Sequence, residues 1–147
     1  MNIATLRKEI ERDEGIKYEI YHDHLGYPTF GIGHFVKTSD AEFGQPMGHQ
    51  VTEERVIEAF NEDVEDVLKD CKKLYSNFDE LPEEAQHIIA NMMFNMGYPR
   101  LSKFKMMKAA VDAEDYQQAA IEMKSSLWYK QVTNRAQRLC DRMSAIS

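Results

Sequence analysis

The chain has 147 residues, of which 43% are hydrophobic and 29% are charged, and its formal net charge is −7. A chain of this length and composition is typical of one soluble globular domain with a real hydrophobic core. The acidic charge argues against nucleic acid as a main partner, because phosphate binding needs clustered Lys and Arg. No run of about 18 apolar residues occurs, so we expect no membrane span and no stable membrane association.

The first ten residues and the two cysteines indicate a reducing compartment. Residues 1–10 are amphipathic and charged and lack the apolar stretch of a signal peptide, which predicts a protein that stays in the cytoplasm where it is made. Cys71 and Cys140 lie outside any metal-ligand spacing. We therefore expect two free thiols and no disulfide.

The first predicted element is a helix. Apolar residues recur at helical spacing from Ile3 to Ile10, and Gly15 is typical of the position just past a helix C-terminus. Glu14 would then lie at the end of this helix, where the carbonyl dipoles and the adjacent Asp13 both disfavour a carboxylate. This makes Glu14 a candidate proton donor, although a Glu-Gly pair that only ends a helix is the more common case.

A small β region follows this helix. Residues 17–20 alternate between polar and apolar, residues 22–26 are typical of a turn, and residues 27–34 predict a second strand. Pro28 and two glycines make that second strand a short or an edge strand. Residues 36–50 are rich in polar residues, Gly and Pro, and predict a loop.

The β region contains two further candidate residues, Asp23 in the turn and Thr29 in the strand. Each has an ordinary interpretation, since Asp is common in turns and Thr is common in strands. In the functional interpretation Asp23 is an ionised carboxylate that orients a water molecule, which Thr29 helps to hold. Two carboxyl groups in unequal environments suit acid/base cleavage of a glycosidic bond. His22 and His24 flank Asp23, but adjacent donors converge poorly on one ion, so we expect no metal site.

The remainder of the chain is predicted to be helical. A long helix from about 52 to 75 has Thr52 as its N-cap and one continuous apolar face. Pro82 opens another helix, which Gly97 closes. Shorter helices are expected over residues 101–111, 113–125 and 134–143, with Thr133 as a cap for the last.

These elements predict a predominantly helical α+β fold. A small N-terminal β-sheet belongs to a lobe of about residues 1–60, and a helical lobe covers about 61–147. The helix of about 52–75 joins the two lobes within one domain, 1–147. His34 is more typical of a partnered structural histidine than of a base, with Asp63 as its possible partner. Arg135 is either a partner for a carboxyl group or a solvated helix residue.

Taken together, the N-terminal motifs resemble the phage T4-type lysozymes of glycoside hydrolase family 24. Eight residues separate Glu14 from Asp23, and five separate Asp23 from Thr29, which is followed by the run Gly31-Ile32-Gly33-His34. Later runs agree in order with the same family. These runs are residues 60–64, 91–97, 126–131 and 134–136.

The resemblance implies a lysozyme-like two-lobed fold and a reaction. The reaction is hydrolysis of the β-1,4 bond between N-acetylmuramic acid and N-acetylglucosamine in peptidoglycan, and no cofactor is expected. Glu14 would be the general acid, Asp23 the carboxylate that activates or positions water, and Thr29 the hydroxyl beside it. Family enzymes are understood to invert the anomeric centre, which fits a water between the sugar and Asp23.

The resemblance also implies residues around the reacting groups. Phe35 stands where the family often has Leu, and two other positions depart from the small or amide residues of relatives. The substrate-contact positions are Phe35, Phe94, Met107 and Glu122. The structural positions are Arg135, which would pair with the acid, and His34 with Asp63, which would form an ion pair.

For the biological role, we expect a monomeric phage or prophage endolysin that acts on bacterial peptidoglycan during host lysis. It would be held in the host cytoplasm until a holin-type membrane lesion releases it. A virion-associated enzyme is a variant of this role. A catalytically weak or inactive lysozyme-fold protein that binds peptidoglycan is the alternative, against which the intact Glu14, Asp23 and Thr29 argue. An acidic helical interaction module would leave the spacing of these residues unexplained.

Overall fold

The computed structural model describes all residues, 1–147. Eight α-helices and one three-stranded antiparallel sheet confirm the predominantly helical α+β fold. The chain divides into two compact units, Asn2–Asp66 and Val67–Ser147, and Met1 belongs with the second. The boundary between the units falls inside the longest helix. None of the helices is both long and apolar enough to cross a membrane.

The first unit begins with helix α1, Ile3–Glu14, whose bounds agree with the apolar spacing. The side chain of Asn2 caps its first turn, and Leu6 and Ile10 form its buried face. Gly15 follows with φ of 79° and donates its N–H to the last turn of the helix. The left-handed backbone at this position favours glycine and ends the helix directly after Glu14.

Three strands follow α1 and form the sheet in the order β1-β2-β3. Strand β1 is Lys17–His22, β2 is Pro28–Gly31 and β3 is His34–Phe35. Both neighbouring pairs are antiparallel. The sheet therefore has one strand more than the sequence predicts.

The prediction of one strand over residues 27–34 is wrong, because the chain reverses inside that segment. Gly31 and Gly33 have φ of 65° and 63°, which produces a tight turn between β2 and β3. Strand β2 is short, as predicted, but it lies at the centre of the sheet. Pro28 is tolerated there because it is the first residue of the strand.

A loop and the start of the long helix complete the first unit. Residues 36–50 form turns, as predicted, and end in an isolated bridge to β1. Helix α2 runs over Glu53–Leu74. Thr52 Oγ1 accepts a hydrogen bond of 3.1 Å from the backbone N–H of Arg55, which confirms Thr52 as an N-cap. The predicted apolar face includes the buried residues Val56, Phe60, Val64 and Cys71.

The second unit is helical throughout, with one 3-10 turn at Phe78–Glu80. Its helices are α3 (Glu83–Met96), α4 (Tyr98–Leu101), α5 (Lys105–Asp112), α6 (Tyr116–Lys124), α7 (Leu127–Gln131) and α8 (Thr133–Ser144).

Two predictions about the second unit are wrong. The helix expected over 101–111 begins only at Lys105, where α5 starts, because α4 ends at Leu101. In addition, α7 was not predicted. Thr133 is the first residue of α8 and not its N-cap, since Val132 holds that position. The Thr133 hydroxyl instead donates to the carbonyl of Lys130 at 3.3 Å.

The core of the second unit is built on α3 and a tryptophan. The buried apolar residues of α3 are Ala85, Ile88, Ile89, Ala90, Met92, Met93 and Met96. Trp128 is 2% exposed, and its Nε1–H donates to Asn95 Oδ1 at 2.8 Å. Trp128 is therefore a buried anchor of this core. Cys71 and Cys140 are buried free thiols, and burial raises the pKa of the first to about 12 and of the second to about 11.

Candidate active site

The first unit brings Glu14 against the turn that joins β2 and β3. Glu14 is half-buried at the C-terminal end of α1. A Cβ atom added to Gly33 would lie 3.2 Å from Glu14 Oε1, so the carboxylate contacts the backbone of this turn closely. Gly33 also has the positive φ that favours glycine. Both the positive φ and the nearby Glu14 carboxylate therefore favour glycine at position 33.

Asp23 is held by one of its two carboxylate oxygens. Its Oδ1 accepts backbone N–H hydrogen bonds from Leu25 at 2.9 Å and from Tyr27 at 2.8 Å. These bonds form the side-chain-to-backbone turn that the sequence predicts for residues 22–26. Oδ2 accepts no hydrogen bond within the chain. Asp23 thus has a fixed orientation and one oxygen able to accept a proton from water.

Thr29 is buried in the central strand beside this turn. Its Oγ1–H donates to the carbonyl of Tyr27 at 2.9 Å. A hydroxyl that donates once can still accept through its lone pairs. The Tyr27 backbone therefore orients two site residues, because its N–H binds Asp23 and its carbonyl binds Thr29. Tyr27 was not among the residues singled out from the sequence.

Tyr21 is a second site residue that the sequence analysis missed. It lies opposite Thr29 in the register of β1 and β2. Burial raises the pKa of Tyr21, and the negative charges of Glu14 and Asp23 raise it further. The phenol therefore lies within electrostatic reach of both carboxylates and stays neutral at physiological pH. A hairpin centred on residue 25 pairs 21 with 29, and this register is the signal that could have identified it.

His34 lies in β3 between two carboxylates. Its Nδ1 is 2.8 Å from Asp63 Oδ2 and its Nε2 is 2.8 Å from Asp40 Oδ2. Burial alone would lower the pKa of His34, but the hydrogen bonds and charges of Asp63 and Asp40 outweigh burial and raise it. The structure therefore brings together the two residues expected to pair, His34 and Asp63. It adds Asp40, whose role depends on a loop conformation that local sequence does not specify.

Arg55 extends this ionic network to the start of α2. Its guanidinium lies 3.1 Å from Asp40 Oδ1, 3.0 Å from Glu42 Oε2 and 2.7 Å from Glu58 Oε1. The hydrogen bond with Glu42 and the nearby acids raise the pKa of Arg55, so the group remains charged. The network fixes the loop that follows β3 to α2. No local pattern in the sequence identifies these partners.

The other expected site residues lie in different surroundings. Phe35 is exposed in β3, while Phe94 is half-buried in α3. Met107 is buried and Glu122 is half-buried, and both line a surface depression of about 280 Å³ in the helical unit. Arg135 is buried and donates from Nε to Asn91 Oδ1 at 2.9 Å, so the solvated alternative for it is wrong.

The arrangement of the site residues suits acid/base chemistry and not metal binding. No group of three or more His, Cys, Asp or Glu side chains is arranged to hold a metal ion, and His22 and His24 are exposed. Glu14 and Asp23 instead offer two carboxyl groups in different surroundings, one against a glycine turn and one fixed by backbone N–H groups. Such a pair suits acid/base chemistry at a bond between sugars.

Comparison of the sequence with known proteins places the chain in a family. The family model for phage lysozyme matches residues 11–145. A probable T4-type lysozyme 1 of Dictyostelium discoideum is 30% identical over 93% of this chain and 92% of its own length. The pre-baseplate central spike protein Gp5 of Enterobacteria phage T4 is also 30% identical, over 92% of this chain.

The relatives differ greatly in length. This chain spans only 27% of the spike protein. It also spans 15% of the peptidoglycan hydrolase gp36 of Pseudomonas phage phiKMV, which is 28% identical over 97% of this chain. The similarity thus corresponds to a segment of these two proteins and to nearly all of the Dictyostelium lysozyme. Since the family model covers nearly the whole sequence, the chain belongs to the phage lysozyme family of glycoside hydrolases.

Proposed function

We propose that this protein is a muramidase that hydrolyses the β-1,4 bond between N-acetylmuramic acid and N-acetylglucosamine in bacterial peptidoglycan. The observation that carries the proposal is the state of Asp23, whose Oδ1 is fixed by two backbone N–H groups while Oδ2 is unoccupied within the chain. A carboxylate held in this way can orient a water molecule without losing its own orientation. Family membership and a relative named as a peptidoglycan hydrolase support the choice of substrate.

In the proposed reaction Glu14 is the general acid. Its proton passes to the glycosidic oxygen as the bond from that oxygen to the anomeric carbon breaks, and the leaving sugar departs as an alcohol. A water molecule attacks the anomeric carbon from the opposite face and transfers a proton to Asp23 Oδ2. Glu14 is then an ionised carboxylate and Asp23 is protonated, so a proton exchange with solvent restores both groups. The product has the inverted anomeric configuration.

The remaining site residues support these two steps. Thr29 accepts a hydrogen bond from the attacking water, because its own proton is donated to the Tyr27 carbonyl. Tyr21 lies near both carboxylates as a neutral group, so it adds no further negative charge beside Glu14 and Asp23. Phe35, Phe94 and Glu122 remain proposed substrate contacts. Met107 is buried and would contribute only through the floor of its depression.

For the biological role, we propose that the protein is an endolysin that degrades the host cell wall. It would act as a monomer that leaves the cytoplasm through a holin-type lesion. Similarity to a central spike protein favours a second candidate role, an enzyme carried in the virion. Mass spectrometry of purified virions separates the two roles. Peptides of this chain in the virion would support the virion-associated role. Their absence from virions of a phage that still lyses its host would support the endolysin role.

The test of the reaction is clearing of purified peptidoglycan by the wild type and by Glu14→Gln. We expect turbidity to fall with the wild type and the rate to drop about a thousandfold or more in the variant, because Gln cannot donate the proton. Circular dichroism and the thermal midpoint would verify that both proteins are folded. Absence of clearing by folded wild type would contradict the enzyme and favour a peptidoglycan-binding protein. Product analysis by NMR tests inversion, since retention of configuration would overturn the role given to Asp23.

A further inference from the structure

Two large aromatic side chains lie exposed beside the candidate site. Tyr27 is 58% exposed and Phe35 is 57% exposed. Their ring centroids are 6.1 Å apart and the rings meet edge to face at 68°. Burial of an aromatic ring is favourable, so two exposed aromatic rings in contact with each other often mark a binding surface. Phe35 was expected to contact substrate, whereas Tyr27 had no expected role.

The position of this pair connects it to the reacting groups. Tyr27 directly precedes β2, and Phe35 lies opposite Thr29 in the register of β2 and β3. The backbone of Tyr27 carries two of the site hydrogen bonds, one to Asp23 and one from Thr29. A ligand that packs on the Tyr27 ring would therefore contact the same residue whose N–H and carbonyl orient the Asp23 carboxylate and the Thr29 hydroxyl.

We propose that Tyr27 and Phe35 form an aromatic platform in which the Tyr27 ring packs against the apolar C–H face of an N-acetylhexosamine ring next to the bond that is cleaved, and the Phe35 ring lies edge to face beside it. The inference rests on the proposed function, which supplies the sugar class, and it makes Tyr27 a substrate-contacting and specificity-determining residue. Aromatic faces suit a pyranose ring because the contact is apolar and independent of charge, which fits a protein with net charge of −7.

The kinetic test compares four proteins in peptidoglycan clearing. Tyr27→Ala removes the ring, Tyr27→Phe retains it, and Phe43→Ala removes an equally exposed ring from the 36–50 loop, where Phe43 is 57% exposed. We expect KM to rise about three- to tenfold for Tyr27→Ala. Phe43→Ala should remain within twofold of the wild type, and Tyr27→Phe should recover most of the increase in KM that Tyr27→Ala causes. A KM for Tyr27→Ala within twofold of wild type would overturn the platform while leaving the hydrolase intact.

A binding test separates failure of the platform from failure of the proposed function. The probe is the disaccharide of N-acetylglucosamine and N-acetylmuramic acid, titrated into Glu14→Gln and followed by NMR of the aromatic ring protons. We expect saturable shifts of the Tyr27 and Phe35 rings and none of the Phe43 ring. Shifts without any clearing by the wild type would support the platform and contradict the hydrolase. Clearing by the wild type without ring shifts would contradict the platform alone.

Discussion

The two units of this protein hold their functional and structural residues by different forces. In residues 2–66 the polar side chains of the candidate site are fixed by hydrogen bonds to turns and by a network of charges around His34 and Arg55. In residues 67–147 the dominant feature is an apolar core around α3 and Trp128. Hydrogen bonds and ion pairs fix direction, whereas apolar burial supplies most of the free energy of folding. Substitutions at the candidate site should therefore affect mainly activity, whereas substitutions in the core around Trp128 should affect mainly stability.

The largest expected stability change is at Trp128. Trp128→Ala removes a buried aromatic ring and leaves the side-chain oxygen Asn95 Oδ1 without its donor, which should lower the free energy of unfolding by about 3–5 kcal/mol. The neighbouring Leu127 is 66% exposed, and Leu127→Ala should change it by less than about 0.5 kcal/mol. Urea denaturation of both variants measures the difference. Equal effects would contradict an apolar core centred on Trp128.

The next effect separates activity from stability inside the first unit. Gly33→Ala would bring a Cβ within 3.2 Å of Glu14 Oε1 at a residue with φ of 63°. We expect peptidoglycan clearing to fall about tenfold, because the Glu14 carboxylate must move by a few tenths of an ångström. Gly44 has φ of 84° with no atom within 4 Å of an added Cβ. Both substitutions place a Cβ at a residue with positive φ and should lower the free energy of unfolding by about 1–2 kcal/mol. Gly44→Ala should nevertheless retain activity, because its Cβ contacts no site residue. Normal clearing by a folded Gly33→Ala would contradict the placement of Glu14.

The charge network around His34 predicts a pH-dependent stability. The pKa of His34 is raised in the folded state, so its stabilisation is fully present below about pH 6.5 and is lost as pH rises through the folded pKa. The pKa of Asp40 is lowered, so its contribution is present above about pH 4 and is lost as pH falls through its folded pKa. His34→Gln should therefore cost about 1–3 kcal/mol at pH 5–6 and less in alkali.

Denaturation midpoints of wild type and His34→Gln between pH 5 and pH 10 measure this difference. The exposed His24 provides a control, since His24→Gln should have no effect across the range. A stability difference that stays constant with pH would contradict a charged His34 between two carboxylates.

The smallest predicted effect concerns the start of α2. Thr52→Ala removes the side-chain acceptor for the Arg55 N–H and should lower the free energy of unfolding by about 1 kcal/mol. Thr133→Ala should change it by less, because Thr133 does not cap α8. Thermal melts of the two variants would show the order. The reverse order would contradict the assignment of the caps.

Local sequence patterns predicted the elements that depend on neighbours in the chain. Apolar spacing and a following glycine located the ends of α1 and α3, and Thr52 located the start of α2. The turn between β2 and β3 was missed because two glycines in a short segment also fit one irregular strand. Helix α7 was missed because five residues are too few to show a helical period.

In the candidate site, too, the residues identified from the sequence were those marked by local spacing, and the residues placed by strand register or loop path were missed. The spacing of Glu14, Asp23 and Thr29 identified the carboxyl pair and the hydroxyl through resemblance to a family. Tyr21 required the register of a hairpin, which depends on where the turn is centred. Asp40 and the Arg55 partners required the path of a loop, and loop conformations are set by contacts that local pattern does not contain.

The account depends most on the role of Asp23, and one substitution isolates that role. Asp23→Asn keeps the Oδ1 acceptor for the N–H groups of Leu25 and Tyr27 but removes the charge that would take a proton from water. The measurement is the rate of peptidoglycan clearing relative to the wild type, with the thermal midpoint of each protein. We predict a rate lower by about a hundredfold or more at an unchanged midpoint. Clearing at the wild-type rate would contradict the account.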